Sequence, residues 1–150
     1  MKILLDTNIL VYSHDPADEV RQERAIQVLD SLRIRRIGCL SVQSLAEFCN
    51  AMIRPYRGSP PRLTLAEAQQ SAGWLSVHFE VYPLTPMIVL EAMSGVRDYQ
   101  LSYYDAQIWA SARLNETPVI FSEDFQDGSI LEGVQFVNPF TPEFDLAVWI

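Results

Sequence analysis

The chain reads as an α/β protein, a single domain over residues 1–150 with helices packed on a mostly parallel sheet. Three observations predict this. Short apolar runs recur from one end of the sequence to the other. Between them lie longer stretches with apolar residues at three- and four-residue steps, the period of a helix. Two of the apolar runs also end abruptly in acid, "KILLD" at Asp6 and "VIFSED" at Asp124. Strands that alternate with helices favour a parallel sheet, and such sheets bind ligands beyond the carboxyl ends of their strands. Both acids stand where that rule puts chemistry.

The elements follow in order. Ile3 to Leu5 is a short buried strand. Pro16 and Asp18 introduce a helix through about Arg33, with Ala25, Val28, Leu29 and Leu32 on one face. Ile37 to Leu40 is the second strand. Ser41 opens a helix with Val42, Leu45, Phe48, Cys49, Met52 and Ile53 on its apolar side. Gln43, Glu47, Asn50 and Arg54 form its polar stripe. "RPYRGSPPR", Arg54 to Arg62, is a loop, because Gly58, Pro60 and Pro61 break any helix. Thr64 and Glu67 are spaced as a capping box. Val81 to Leu84 is a strand, and Pro86 suits the first turn of a helix to about Val96. Ser102 opens a helix to Asn115. Pro118 to Ser122 and Val134 to Val137 are the last strands, and residues 140–150 form a packed tail.

Composition narrows the function. With 150 residues the chain can bury a real core. Net charge is −8, which excludes a protein that coats nucleic acid through its overall field but not an enzyme that grips it locally. Two cysteines, Cys39 and Cys49, make no disulfide framework and no CxxC pair, so a reducing cytoplasm is the expected compartment. No signal peptide and no membrane span are expected.

Four acids carry the candidate chemistry: Asp6, Glu47, Asp105 and Asp124. An unpaired carboxylate at the mouth of a buried element is costly, and few cations lie nearby in sequence. A hard divalent cation would balance such acids, since Mg2+ and Mn2+ prefer oxygen ligands. Each acid also has a plainer reading. Asp6 could cap a short helix from Asn8, Glu47 could be a solvated side chain, Ser102 and Asp105 fit a capping box, and Asp124 could cap a turn before Gly128. His14, in "SHDP", reads as exposed and has no catalytic partner. No Gly-rich phosphate loop appears. Arg33, Arg35 and Arg36 suit a helix C-terminus. Arg54, Arg57 and Arg62, with Tyr56 among them, are either solvated or phosphate contacts.

"LLDTNILVY", "SVQSLAEF", "LSYYDAQIWASA" and "VIFSEDFQDG" together resemble the PIN-domain ribonucleases, in particular the VapC-type toxins of toxin–antitoxin pairs. The resemblance covers nearly the whole chain. It implies a three-layer α/β/α fold around a central mostly parallel sheet. It implies an Mg2+- or Mn2+-dependent endoribonuclease that uses one or two ions. Metal-activated water would cut RNA to 5′-phosphate and 3′-hydroxyl ends. Asp6, Glu47 and Asp105 would hold the main ion, and Asp124 that ion or a second. Thr7, Asn8 and Ser122 match polar positions that orient the acids or bound water. Asp127, and more weakly Glu123, could contribute beside Asp124. A toxin of this kind would have a cognate antitoxin and form a homodimer, with the Pro61 to Val77 region an exposed candidate surface.

Other functions compete. The same fold could serve an RNA-processing nuclease that is not a toxin, or a non-catalytic Mg2+-binding regulatory module. A receiver-like domain would want adjacent early acids and a late lysine, and Lys2 is the only lysine. An Asp-nucleophile phosphatase would want a second acid two residues after Asp6, where Asn8 stands.

Overall fold

The structure, a computed structural model, describes all 150 residues. Six strands form one sheet in the order β3-β2-β1-β4-β6-β5. β1 (Ile3–Leu5), β2 (Gly38–Ser41), β3 (Glu80–Tyr82), β4 (Val119–Phe121) and β6 (Val134–Val137) are parallel, and β5 (Ile130–Leu131) is antiparallel to β6. α1 (Thr7–Tyr12), α2 (Glu19–Arg35), α3 (Val42–Ile53) and α4 (Leu65–His78) supply one layer; α5 (Pro86–Tyr99) and α6 (Tyr103–Leu114) supply the other. β1 shows why both faces need covering. Ile3 and Leu5 point into the first core and Leu4 into the second, and all three are wholly buried. The predicted α/β/α architecture is therefore the one observed.

Local chemistry explains most boundaries. Ser41 caps α3 by accepting from the Ser44 N–H at 3.0 Å, and Thr64 and Glu67 make the full capping box of α4. β3 stops at Tyr82, short of the predicted Leu84, because Pro83 has no N–H to continue the ladder. α5 runs past Val96 to Tyr99 and passes through Gly95. A side chain there would sit 2.9 Å from the Trp109 ring, so the glycine lets α5 and α6 pack closely. The β5–β6 hairpin was not expected. It turns through Glu132 and Gly133, both at positive φ (49° and 83°), the paired left-handed geometry of a tight hairpin.

Two expectations on burial are corrected. On α3, Val42 is exposed and Gln43 is buried, because the start of this helix faces α6 rather than solvent. His14 is half-buried, its ring 4.9 Å from that of Phe48 and Nδ1 against the Leu10 carbonyl. Cys39 packs in the core, where burial pushes its thiol pKa up, away from nucleophilic use. The tail sets Phe144 and Trp149 edge-on to Phe121. No helix is long and apolar enough to cross a membrane.

The sheet order reverses direction beside β1. The chain moves outward from β1 through β2 to β3, then returns to place β4 on the other side. The crevice at such a switch point, above the carboxyl ends of β1 and β4, is where ligands bind in folds of this kind.

Candidate active site

Asp6 leaves β1 in extended conformation (ψ 163°) and caps α1, its Oδ1 accepting from the Thr7 N–H at 2.7 Å. The Asp6 N–H donates to the Phe121 carbonyl at 3.1 Å, which ties the ends of β1 and β4 together. Ser122, the first residue after β4, donates its hydroxyl to Asp6 Oδ2 at 2.6 Å. The same hydroxyl accepts from Asn8 Nδ2 at 3.2 Å and from the Asp124 N–H at 3.1 Å. Asn8 Nδ2 also reaches Asp124 Oδ2 at 3.2 Å. Asp6, Asn8, Ser122 and Asp124 thus form one hydrogen-bonded cluster at the switch point. Asn8 Oδ1 is buried with no partner.

Glu47 comes from α3, a turn and a half beyond the end of β2. Thr7 Oγ1 donates to its Oε2 at 2.9 Å, and Gln43 Nε2 to its Oε1 at 2.7 Å. Gln43 belongs to a buried amide chain. Tyr103 donates to Gln107 Oε1 at 2.9 Å, and Gln107 Nε2 to Gln43 Oε1 at 2.7 Å. Gln43 Nε2 also donates to the Tyr104 carbonyl at 3.1 Å. A carbonyl can only accept, so it fixes which way the Gln43 amide faces and hence the polarity of the whole chain. Its last donor must meet an acceptor on Glu47.

Asp105 sits in the first turn of α6, but the capping-box reading is only half right. Ser102 accepts from the Asp105 N–H at 3.4 Å, while the Asp105 carboxylate makes no return bond and no ion pair.

Electrostatics couple the four acids. Burial, with Asp6 only 5% exposed, pushes its carboxyl pKa up to about 7. The Ser122 and Thr7 hydrogen bonds oppose the rise, and the charges of Asp124 and Glu47 add to it. Asp124 is raised as well, first by burial and then by the nearby charges of Asp105, Glu123 and Glu47, against the Asn8 hydrogen bond. None of Asp6, Glu47, Asp105 or Asp124 forms an ion pair with a basic side chain. The donor set is anionic oxygen throughout, with an orphaned amide oxygen beside it, and fits a hard divalent cation. No three acidic, histidine or cysteine side chains are already drawn together as a metal cage.

The other candidates divide. Thr7, Asn8 and Ser122 all hydrogen-bond to one or more of the acids. Asp127 does not join them. Its Oδ1 accepts from the Asn138 N–H at 2.7 Å, which turns it to the far side of the loop. Glu123 lines the same cleft as Asp124 but is held by the Tyr12 hydroxyl at 2.5 Å and by Arg21 Nε at 3.5 Å. The cleft, about 530 Å³, runs from Thr7, Glu47 and Asp124 to Arg54, Tyr56 and Arg62. Arg62 is not free to meet phosphate, since its Nε and Nη2 both bond Asp15 Oδ2, at 3.1 and 2.9 Å. Arg57 lies over Tyr56, and exposed Arg54 has no acidic partner. Gln107 and Tyr103 escaped sequence reasoning. Their signal was a glutamine inside a helix otherwise apolar nearly all round.

A search of curated sequences gives no match. Solved structures do match in fold. VapC20 of Mycobacterium tuberculosis, a sarcin–ricin loop cleaving toxin, superposes with a TM-score of 0.67 at 20% identity, over 87% of this chain and 98% of that one. A toxin–antitoxin complex from Klebsiella pneumoniae gives 0.68 at 20% identity, over 92% and 98%. FitAcB from Neisseria gonorrhoeae gives 0.64 at 23%, over 92% and 98%. These identities speak to the fold alone. The PIN domain profile matches residues 3–126, from the start of β1 to just past Asp124, and the chain belongs to the PIN-domain family.

Proposed function

We propose that this protein is a divalent-metal-dependent endoribonuclease, acting as the toxin of a toxin–antitoxin pair. The observation that supports the reading is the polar cluster at the switch point, where Asp6 and Asp124 share Ser122 and Asn8, Glu47 is held by Thr7, and none of these carboxylates or Asp105 pairs with a basic side chain. A folded protein keeps such a charge cluster when a cation completes it. The toxin reading is supported by the kinds of structure that share the fold, a loop-cleaving toxin and a toxin–antitoxin complex among them.

Asp6, Glu47 and Asp105 would hold the ion, directly or through water, and Asp124 would hold that ion or a second. When bound, Mg2+ or Mn2+ supplies a water acidic enough to ionise near neutral pH and positive charge to offset the phosphate. The chain's own residues do the positioning. Ser122 and the Thr7 N–H hold the two Asp6 oxygens in place. Asn8 links Asp124 to Ser122. Thr7 and Gln43 each take one lone pair of Glu47 and leave each oxygen another. No histidine enters the cleft, and hydrolysis through these parts leaves a 5′-phosphate and a 3′-hydroxyl. The same reading gives the protein a cognate antitoxin and a homodimeric state.

The test is cleavage of a mixed cellular RNA preparation by purified protein with Mn2+, Mg2+ or EDTA, beside Asp6→Asn. Discrete cuts that need both metal and Asp6 are expected, with end-mapping to give the chemistry. Undiminished cutting by Asp6→Asn would overturn the assignment.

A further inference from the structure

An acidic protein that binds a polyanion needs affinity from something other than net charge. The wall of the cleft opposite the acids holds one such feature. Tyr56 and Ser59 exchange backbone hydrogen bonds of 3.2 and 2.9 Å, and Arg57 and Gly58 between them are both at positive φ (47° and 77°). This is a tight, stiff turn. Its first residue, Tyr56, is 43% exposed and its hydroxyl makes no hydrogen bond, so the ring is not there as a polar anchor. The Arg62 guanidinium lies 3.9 Å from the ring centroid. Arg62 is itself nearly buried and clamped by Asp15, whose other oxygen accepts from the Ala17 N–H at 3.0 Å. The ring is therefore braced by a fixed plane. Arg57, 5.1 Å away and exposed, has no acidic partner to hold it there.

From this we infer that Tyr56 is a stacking platform for an unpaired nucleobase of the substrate, with Arg54 beside it as the phosphate contact. The inference rests on the nuclease reading and specifies the part of the RNA that enters the cleft. An aromatic face accepts any base without opposing charge, and Arg54 is the cation of this cleft left free by every carboxylate. A base in a duplex offers no free face, so the segment beside the acids enters as a single strand or a loop. Arg62 acts through Tyr56 rather than on the RNA.

Binding is measured with cleavage blocked by Asp6→Asn, in Mg2+, using fluorescence anisotropy of a short labelled RNA that contains 2-aminopurine. The same RNA annealed to its complement is the comparison. Adding Tyr56→Ala should weaken single-strand binding about tenfold and leave duplex binding unmoved. Tyr56→Trp should restore the affinity and the quenching of 2-aminopurine. Arg54→Ala should flatten the salt dependence by roughly one phosphate contact, about 0.7 in the logarithmic slope for single strands. Unchanged single-strand affinity in Tyr56→Ala, or equal loss for strand and duplex, would overturn the platform while leaving the nuclease reading intact. Failure of the wild-type protein in Mg2+ to bind or cut any RNA would overturn both.

Discussion

Asp6 has two structural duties that pull against each other. It caps α1, which any Asp, Asn or Ser could do, and it keeps a buried carboxylate beside two others. In the unfolded chain it ionises near pH ~3.9. In the folded, metal-free protein its pKa is about 7. Between those values the native state holds a proton that the unfolded chain has lost, so stability falls as pH rises through this window. Asp6→Asn removes the group and keeps a cap. In EDTA the variant should gain about 2–4 kcal/mol over wild type at pH 7.5 and little at pH 4, read from denaturant unfolding. Equal pH dependence in both proteins would show that Asp6 is not the buried titrating acid. The positions of the four candidate acids were legible because each follows a strand or lies on a helix that the hydrophobic pattern locates. Asp127 was not, since spacing along a loop does not say which way its side chains turn. Arg62 misled for a related reason: its partner, Asp15, is 47 residues away in sequence.

Among the elements, α3 and α6 matter most together. α3 carries Glu47 and α6 carries Asp105, and the Tyr103–Gln107–Gln43 chain is the polar link between them. Gln107 touches no acid, yet it sets the amide that holds Glu47. Gln107→Met fills similar volume without donor or acceptor. It should lower Tm by several degrees, since the buried Gln43 Oε1 loses its donor, and weaken Mn2+ binding about tenfold in calorimetric titration of the folded protein, the usual cost of losing a group that orients a metal ligand. Gln107→Glu, with the acceptor kept and the donor lost, should not restore it. Wild-type affinity in Gln107→Met would reduce the chain to packing. Most elements were readable from period and caps, Thr64 and Ser41 above all. The hairpin at Ile130–Leu131 was too short for any period to register, and the burial of Gln43 depends on α6, which no local pattern around residue 43 can contain.

For the molecule as a whole, charge and topology act at the same edge of the sheet. The net charge is −8, and four of its acids lie unbalanced at that edge. Divalent ions should therefore raise Tm well beyond the effect of KCl at equal ionic strength. At a hundredfold excess over Kd, mass action gives about 2.7 kcal/mol, or roughly 5–10 °C for a domain of this size. The rise should vanish in Asp6→Asn, and scanning fluorimetry checks both. The β1–β4 pairing has one more consequence. Asp6 is made long before its partners: its backbone and side chain wait for Phe121 and Ser122, more than a hundred residues later. Until β4 slots in beside β1, a growing polypeptide holds one half of the cluster without the other. Any chemistry of this cluster therefore waits until Ser122 has been made and β4 has paired with β1.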